Sequence, residues 1–446
     1  MEYFKPEENQ DSLSKTINIS ILQSQKLFNK NTAFVVSLSS KDKLERESDV
    51  DLLCVIDISG SMKGKKLSQL KFSLKSIISF MTPKDRLCII LFNDKANIYL
   101  DLAFMTEETK TKYLEKIEKI TARGGTNILS GLIKALEVLK EEKKKENNNE
   151  PMEQMRVKCI MLLSDGYDND YNTQEITNEV KNFTKGQHLS FTLHTFGYGD
   201  DYDSELMSKL AIIRDGSFFA VENIDKVQDY FVNALGGCMS IIYNEVKIKI
   251  KMLKNNLKIQ KIFGQDKLYE FELKEDSFSF NLLQLISGKE YTYTFELELP
   301  EILSINENIF EVEILADNKE KFLEFGKYKV VGGGFSIADE EYLKNKLYET
   351  LDEAMKLKEL KKTEQMNNLL EQMKNWIKDK YEGINKNSYL EKLNEALGYF
   401  KDNYSYERKG RSKLTSDIYA NQLKKGGIYS NSIQQVMIES IPKSKC

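Results

Sequence analysis

The sequence Asp-Ile-Ser-Gly-Ser-Met at residues 57–62 decides how the rest of the chain is interpreted. It follows an apolar run at residues 50–56 that predicts a buried strand, and it precedes a segment with helical periodicity. Asp57, Ser59 and Ser61 therefore stand at alternate positions just beyond a strand end, where open α/β sheets bind ligands. Three hard oxygen donors in such a place predict a site for a hard divalent cation. The same residue types also cap helices, so the motif alone leaves a purely structural role open.

Two later stretches add donors of the same kind. Gly-Gly-Thr-Asn at residues 124–127 lies just before an amphipathic segment, and Leu-Leu-Ser-Asp-Gly at residues 162–166 ends a second apolar strand. Thr126 and Asp165 therefore bring one more hydroxyl and one more carboxylate to a loop and a strand end. Because the type, order and strand context of these residues agree, the three stretches together favour a metal site.

The set Asp-x-Ser-x-Ser, then Thr, then Asp resembles the metal-ion-dependent adhesion site (MIDAS) of von Willebrand factor A (VWA) domains. The resemblance implies direct cation contacts from the serines, direct or water-mediated contact from the threonine, and often water-mediated contacts from the aspartates. The implied ligands in this chain are Asp57, Ser59, Ser61, Thr126 and Asp165. Mg²⁺ is the expected ion, with Mn²⁺ or Ca²⁺ as alternatives. The family also leaves one coordination position open for a Glu or Asp of a partner protein.

A further region is similar to the VWA domains of plant RING-type ubiquitin ligases. The similarity lies in residues 195–203, 206–207 and 215–219. Those proteins carry a β-rich and helical region after the VWA domain, which predicts the same order here. The close-spaced Cys/His set of a RING is missing from the sequence, so the resemblance does not imply ligase activity.

The order of strand-like and helix-like segments predicts the fold class. From 48 to 242 apolar strands alternate with amphipathic helices, which indicates a doubly wound, mostly parallel, Rossmann-like sheet. Alternating strands at 15–47 and 243–334 predict one antiparallel β-sandwich into which the VWA domain is inserted. The triple glycine at residues 332–334 is its expected end.

The remaining segments give weaker signals. Residues 1–14 are expected to be a flexible N-terminus, and 335–403 a helical region that forms either a small bundle or a groove for a partner. Residues 404–446 are expected to be a C-terminal tail. Its basic run at residues 408–413 is typical of a solvated segment, with partner binding as the alternative.

Composition excludes several classes of function. A chain of 446 residues predicts two or three domains, and a net charge of −4 argues against a dedicated nucleic-acid binder. Cys54, Cys88 and Cys159 fall in apolar runs and are predicted to be small buried residues, as in a reducing compartment. There is no secretory signal and no apolar run near the roughly 18 residues of a membrane helix, so a cytoplasmic location is expected.

The sequence is best interpreted as a non-enzymatic, cytoplasmic protein-interaction protein. A hydrolase would need a general base near the metal, and the three loops contain no histidine. Asp94, Asp168 and Asp170 are expected to tune the site electrostatically and to cap helices. Two alternatives stay open: a scaffold subunit with an incidental metal, and an accessory subunit of a ubiquitin-ligase or ATPase complex. The sequence does not predict the partner or the oligomeric state.

Overall fold

A computed structural model gives the fold of most of the chain. The described residues are 17–28, 31–42, 46–148, 156–186, 189–199, 202–214, 216–221, 227–300, 303–317, 320–329, 335–380, 385–406, 410–422 and 431–440.

The described residues form strands and helices with the following bounds. The strands are β1 (Ile17–Phe28), β2 (Asn31–Ser40), β3 (Asp49–Asp57), β4 (Arg86–Phe92), β5 (Ala96–Phe104), β6 (Arg156–Ser164), β7 (Thr192–Tyr198), β8 (Phe218–Val221), β9 (Ile241–Met252), β10 (Lys258–Ile262), β11 (Tyr269–Leu273), β12 (Ser277–Ile286), β13 (Tyr291–Glu298), β14 (Asn308–Ala316) and β15 (Glu320–Lys327). The helices are α1 (Lys65–Phe80), α2 (Glu107–Glu118), α3 (Ile128–Asn148), α4 (Thr173–Thr184), α5 (Ser204–Ile213), α6 (Val227–Met239), α7 (Ile337–Glu359), α8 (Thr363–Lys380), α9 (Lys386–Lys401), the single turn α10 (Asn403–Ser405), α11 (Arg411–Gln422) and α12 (Ser432–Glu439).

The central sheet has the order β5-β4-β3-β6-β7-β8. Its strands run parallel except β5, which pairs antiparallel with β4. β3 is buried along its whole length, because its apolar residues face helices on both sides of the sheet. The carboxyl ends of β3, β4 and β6 meet at one edge, so the loops that follow them lie together. The predicted doubly wound fold class is confirmed.

Helices cover both faces of this sheet. α1, α2 and α6 share one core with side chains such as Cys54 and Ile56, which point to one side of β3. α3, α4 and α5 share the opposite core with Leu53 and Val55. The alternation of consecutive β3 residues between the two cores is the period-2 geometry of a strand.

The flanking strands form two packed antiparallel sheets. One has the order β1-β2-β13-β10 and the other β11-β12-β9-β14-β15. Phe34, Phe295 and Phe310 pack in the core between them, with ring centroids 5.2 Å apart for Phe34–Phe310 and 5.3 Å for Phe295–Phe310. Because β2, which precedes the doubly wound sheet, pairs with β13, which follows it, that sheet is inserted in the sandwich as predicted.

Some details of the central region differ from the prediction. β5 is an additional edge strand that the apolar pattern did not indicate, because Leu100 is its one fully buried residue. The last helix, predicted to extend to Ile242, ends at Met239. β9 begins two residues later and carries the chain directly into the sandwich.

The C-terminal helices pack on the rest of the molecule. α7, α8, α9 and α11 share a hydrophobic core, which is the bundle alternative of the sequence analysis. Residues 408–409 of the basic run lie outside the described residues. The run was expected to be solvated, and at Arg411 this expectation is wrong. That guanidinium pairs with Glu205 on α5 and Glu359 on α7, because α11 is wedged between these helices. α12 packs against α6 through Ile433 and Met437.

Among the described residues, no helix combines the length and the apolar character needed to cross a bilayer.

Candidate metal site

The loop after β3 starts with a fully buried carboxylate. Asp57 Oδ1 accepts a hydrogen bond of 2.8 Å from the backbone N–H of Ser59. Asp57 Oδ2 accepts one of 2.6 Å from the hydroxyl of Ser164, at the end of β6. The carboxylate is therefore fixed between the ends of two adjacent parallel strands.

Hydroxyl groups connect this loop to the one after β6. Ser59 Oγ lies 2.9 Å from Ser61 Oγ, and the hydroxyl of Ser61 donates to Asp165 Oδ1 at 2.8 Å. Ser59 and Asp165 are buried, whereas Ser61 is exposed. Asp57, Ser59, Ser61 and Asp165 thus form one continuous polar cluster that opens to solvent at Ser61.

The loop that carries Thr126 lies against the same cluster. The N–H of Gly60 donates to the carbonyl of Gly124 at 3.0 Å, which joins the first and second loops. A side-chain carbon placed on Gly166 would lie 3.8 Å from Thr126 Oγ1, so the threonine hydroxyl is next to the loop of Asp165. The structure therefore brings all five sequence-predicted residues to one edge of the sheet.

Glycine is required at two positions of these loops. Gly64, just before α1, has φ +79°, and Gly124 has φ +85°, both in the left-handed region. A Cβ on Gly124 would also lie 2.5 Å from Asp94 Oδ2. These residues allow the tight turn into α1 and the close approach of the second loop.

The three outlying aspartates mainly hold the loops in place. Asp168 Oδ2 accepts hydrogen bonds from the N–H groups of Ile128 at 2.6 Å and Leu129 at 3.3 Å, and so caps α3 as predicted. Asp94 Oδ1 accepts from the N–H of Gly125 at 3.1 Å. Asp170 Oδ2 accepts from the side-chain amide of Asn127 at 2.8 Å (distance from Nδ2).

Burial makes the negative charge of Asp57 unfavourable. It raises the pKa of Asp57 to about 6, and the charge of Asp165 adds to the rise, while hydrogen bonds from Ser164 and Ser59 oppose it. Carboxylate and hydroxyl oxygens are the ligands that hard divalent cations prefer. A bound cation would reverse the unfavourable electrostatics of the two buried carboxylates. The donor set therefore fits the ion that the sequence predicts.

Sequence reasoning missed one residue of the site, Lys66. Its ammonium forms a salt bridge with Asp165 Oδ2, on the opposite side of that carboxylate from Ser61. Lys65 and Lys66 occupy the first turn of α1, which contains no acidic residue. Positive charge there is unfavourable to the helix dipole, and this was the available signal that the lysine has another role.

Two aromatic side chains in the loop that follows Asp165 are exposed to solvent. Tyr167 and Tyr171, in the loop between β6 and α4, are 55 % and 43 % exposed. A cavity of about 750 Å³ lies elsewhere, between α4, α5 and the sandwich. The cluster thus offers an accessible surface with aromatic side chains nearby, which suits a macromolecular partner better than an enclosed small molecule.

Comparisons with known proteins agree with this description of the central region. The family model of the von Willebrand factor type A domain matches residues 51–233. The chain is 33 % identical over 169 residues to inter alpha-trypsin inhibitor heavy chain 4 of Mus musculus, covering 37 % of this chain and 17 % of that protein. It is 30 % identical over 182 residues to an uncharacterized protein of Synechocystis sp., covering 41 % of this chain and 40 % of that protein. The chain thus spans less than half the length of either relative.

Solved structures share the wider fold. A von Willebrand factor type A protein from Catenulispora acidiphila aligns with a TM-score of 0.65 at 13 % identity, over 93 % of this chain and 98 % of that one. The ArnB paralog VWA2 from Sulfolobus acidocaldarius aligns with a TM-score of 0.54 at 14 % identity, over 92 % of this chain and 98 % of that one. At such low identity the likeness concerns the fold alone.

Proposed function

We propose that this chain captures a partner protein through a bound divalent cation. Residues 51–233 match the von Willebrand factor type A domain, a type of domain that generally mediates protein interactions. The proposed ligands are Asp57, Ser59, Ser61, Thr126 and Asp165. Mg²⁺ is the proposed ion, with Mn²⁺ or Ca²⁺ as alternatives. The remaining coordination position accepts a Glu or Asp carboxylate of the partner.

The observation that carries the proposal is the pair of buried carboxylates, Asp57 and Asp165, connected by serine hydroxyls at an accessible edge. Of the two acids, Asp165 has a cationic partner within the chain, Lys66. Asp57 has hydrogen-bond donors but no ion pair with a cationic side chain among the described residues. A cation from solution would complete the cluster.

The surface around the cluster supports a protein as the partner. Ser61 reaches solvent, so a ligand can approach the cation from outside. Exposed aromatic residues such as Tyr167 and Tyr171 provide apolar contact area of the kind that is enriched in protein interfaces. The carboxylate would give specificity, and the aromatic side chains would add affinity.

We further propose that the protein is cytoplasmic and has no catalytic activity of its own. Cys54, Cys88, Cys159 and Cys238 are buried and unpaired, as expected in a reducing compartment. The loops of the proposed site contain no histidine that could serve as a general base, which favours binding over hydrolysis.

Cation binding is tested first, by isothermal titration of the metal-free protein with MgCl₂ and MnCl₂. The test variant is Ser59→Ala/Ser61→Ala, and the matched control is Ser68→Ala/Ser79→Ala, which removes two exposed hydroxyls of α1. We expect one ion per chain for wild type and control, and an affinity lower by about 100-fold or more in the test variant. Equal affinity in both double variants would overturn the proposed site.

Partner capture is tested next, with the same proteins and lysate of the source cell in Mg²⁺ or in EDTA. The proposal expects a partner that is retained by wild type and control in Mg²⁺ only, and whose binding is lost when one of its acidic residues is changed to the amide. The same partners under all conditions would support the scaffold alternative. Turnover of nucleotide or ubiquitin by the purified protein would support the enzyme-complex alternative.

A further inference from the structure

A second cluster of reactive side chains lies inside the VWA domain, away from the proposed cation site. Cys159 on β6, His194 on β7 and Cys238 in the last turn of α6 place their two Sγ atoms and a ring nitrogen within 4.8 Å of one another. Both cysteines are buried, and the histidine is 9 % exposed. The three residues are far apart in sequence, so no spacing motif indicated the cluster.

The hydrogen bonds of His194 fix the position of its proton. The backbone N–H of Ser217 donates to His194 Nδ1 at 3.0 Å. Nδ1 is therefore an acceptor, and in the neutral ring the proton is on Nε2. Nε2 lies 3.9 Å from Cys238 Sγ, so this N–H is directed at the sulfur. A metal on Nε2 would force the ring proton onto Nδ1, where it would face the N–H of Ser217. The geometry therefore favours thiol chemistry over metal binding.

The two sulfurs have unequal environments. The pKa of Cys238 is lowered to about 6, chiefly by a hydrogen bond from the Cys159 thiol and also by His194, while burial opposes the shift. Burial raises the pKa of Cys159 well above its usual value. The sulfur of Cys238 thus accepts hydrogen bonds, and the sulfur of Cys159 is a protonated thiol. In this arrangement Cys238 can be oxidised first, and Cys159 can then form a disulfide with it.

A small cavity lies against the acceptor sulfur. It has a volume of about 30 Å³, and its lining includes Cys238, His194, Lys289 and Gln434. That volume is enough for a water-sized molecule. Lys289 also lines the cavity, and burial lowers the pKa of its ammonium to about 8.

We propose that Cys159 and Cys238 are a peroxide-sensitive dithiol that closes to a disulfide between β6 and α6. The Cys238 thiolate attacks one oxygen of hydrogen peroxide, the O–O bond breaks, and the released hydroxide takes up a proton to give water and Cys238 sulfenic acid. The Cys159 sulfur then attacks the sulfenic sulfur, the S–O bond breaks, and a second water leaves. Two thiols and one peroxide thus give one disulfide and two waters.

The disulfide would add a covalent bond between two elements, β6 and α6, that are now held together by noncovalent contacts. α6 packs on α1 and on α12, and it leads after one residue into β9 of the sandwich. Gly236 on α6 approaches Gln434 of α12 so closely that a Cβ would lie 2.9 Å from Gln434 Cγ. A covalent bond at Cys238 would therefore also fix the helix on which α12 docks, and we expect the oxidised protein to have a higher thermal midpoint.

The experiment uses the full chain with Cys446→Ser, which removes a cysteine that lies outside the described residues. The protein is treated with hydrogen peroxide, denatured, alkylated and digested, and the peptides are identified by mass spectrometry without reduction. We expect a peptide pair linked through Cys159 and Cys238, while Cys54 and Cys88 are recovered as alkylated thiols. Linkage should precede oxidation of Cys54 on the order of tenfold in rate, because the thiolate fraction largely sets reactivity.

Variants in the same background separate the two steps. Cys159→Ser should accumulate Cys238 sulfenic acid, detected as a dimedone adduct, and His194→Gln should slow linkage. Cys54→Ser, which removes another buried thiol, should leave the rate unchanged. Linkage no faster than the oxidation of Cys54 and Cys88 would overturn the proposal. So would one zinc per purified chain that Cys238→Ser removes, because the cluster would then be a metal site.

Discussion

Asp51 and Asp57 are buried aspartates near opposite ends of strand β3, and they differ in the side chains that surround them. At the amino end, Asp51 accepts hydrogen bonds from Arg86 at 2.8 Å (Nε to Oδ1) and from Arg156 at 3.0 Å (Nε to Oδ1). Burial alone would raise the pKa of Asp51, but the hydrogen bonds and charges of the two guanidinium groups outweigh it and lower the pKa.

At the carboxyl end, Asp57 is equally buried but is met by hydroxyl and backbone donors and by the charge of Asp165. Its pKa is raised to about 6, chiefly by burial. The amino-end acid is neutralised by the chain itself, which is typical of a structural ion pair. The carboxyl-end acid lacks such a neutralising partner, which is typical of a site that takes a cation from solution.

The largest expected effect comes from breaking the amino-end pair. Arg86→Met leaves Asp51 buried with one of its two guanidinium partners, and we expect the free energy of unfolding to fall by about 3 kcal/mol. Urea denaturation measures this change. Arg123→Met, which alters an exposed guanidinium, is the control and should change stability by less than about 0.5 kcal/mol. A similarly small effect of Arg86→Met would contradict the difference drawn between the two ends.

Asp57→Asn should stabilise the metal-free protein, whereas Arg86→Met should destabilise it. The amide keeps much of the shape but removes the buried charge, so in EDTA we expect stability to rise by about 1–2 kcal/mol. In wild type, Mg²⁺ at about 100 times its dissociation constant should add about 3 kcal/mol, and in Asp57→Asn it should add nothing. Denaturation with and without Mg²⁺ measures both effects. A variant that is destabilised in EDTA and still stabilised by Mg²⁺ would show that Asp57 is a structural acid.

The difference between the two ends was only partly predictable from sequence. The apolar run of β3 and the positions of Ser59, Ser61 and Asp165 were sufficient to predict the fold class and which loops meet, because parallel strands bring their carboxyl ends together. That these residues hold a cation stays a prediction. The partners of Asp51 were not predicted, because Arg86 and Arg156 reach it only through strand register.

Long-range packing limited the rest of the prediction. The thiol cluster joins Cys159 and Cys238, and α12 docks Gln434 onto Asn233 about two hundred residues away, with a hydrogen bond of 2.8 Å to its carbonyl. Neither contact has a local pattern, because each depends on which helix face meets which strand. Edge strand β5 was missed for a different reason. Most of its residues are exposed or half-buried, so its sequence has no apolar run that would indicate a strand.

The pH dependence of stability separates the two ends further. For Asp57 the folded-state pKa, about 6, lies above the ordinary aspartate value of 3.8, so the folded protein binds more protons between these pH values. Its contribution to stability therefore falls as the pH rises from about 4 to 6, and then stays constant. For Asp51 the pKa is lowered, so its contribution to stability is lost as the pH falls below the ordinary aspartate value of 3.8.

Paired urea titrations in EDTA test this expectation. The stability advantage of Asp57→Asn over wild type should be largest at pH 7, decline through pH 5 and vanish near pH 4. The control is Asp51→Asn, which neutralises the acid at the other end of β3. This variant should be less stable than wild type, and the loss of stability should be largest at neutral pH. An advantage of Asp57→Asn that does not change between pH 4 and 7 would mean that Asp57 titrates normally in the folded protein.

The smallest effect is expected at Lys66, which partly offsets the charge of the carboxyl end. Its ammonium is bound to Asp165, so a cation that needs this carboxylate must share it with the lysine. Lys66→Met keeps most of the aliphatic contacts and removes the charge. We expect the variant to bind Mg²⁺ more tightly by roughly threefold to tenfold. This corresponds to about 1 kcal/mol, the scale of interactions between partly exposed charges. Lys65→Met, which alters the exposed neighbour in the same helical turn, should leave the affinity nearly unchanged. Weaker Mg²⁺ binding in Lys66→Met would mean that the lysine orients Asp165 for the cation, and the carboxyl end would then resemble the amino end more closely than its aspartates alone suggest.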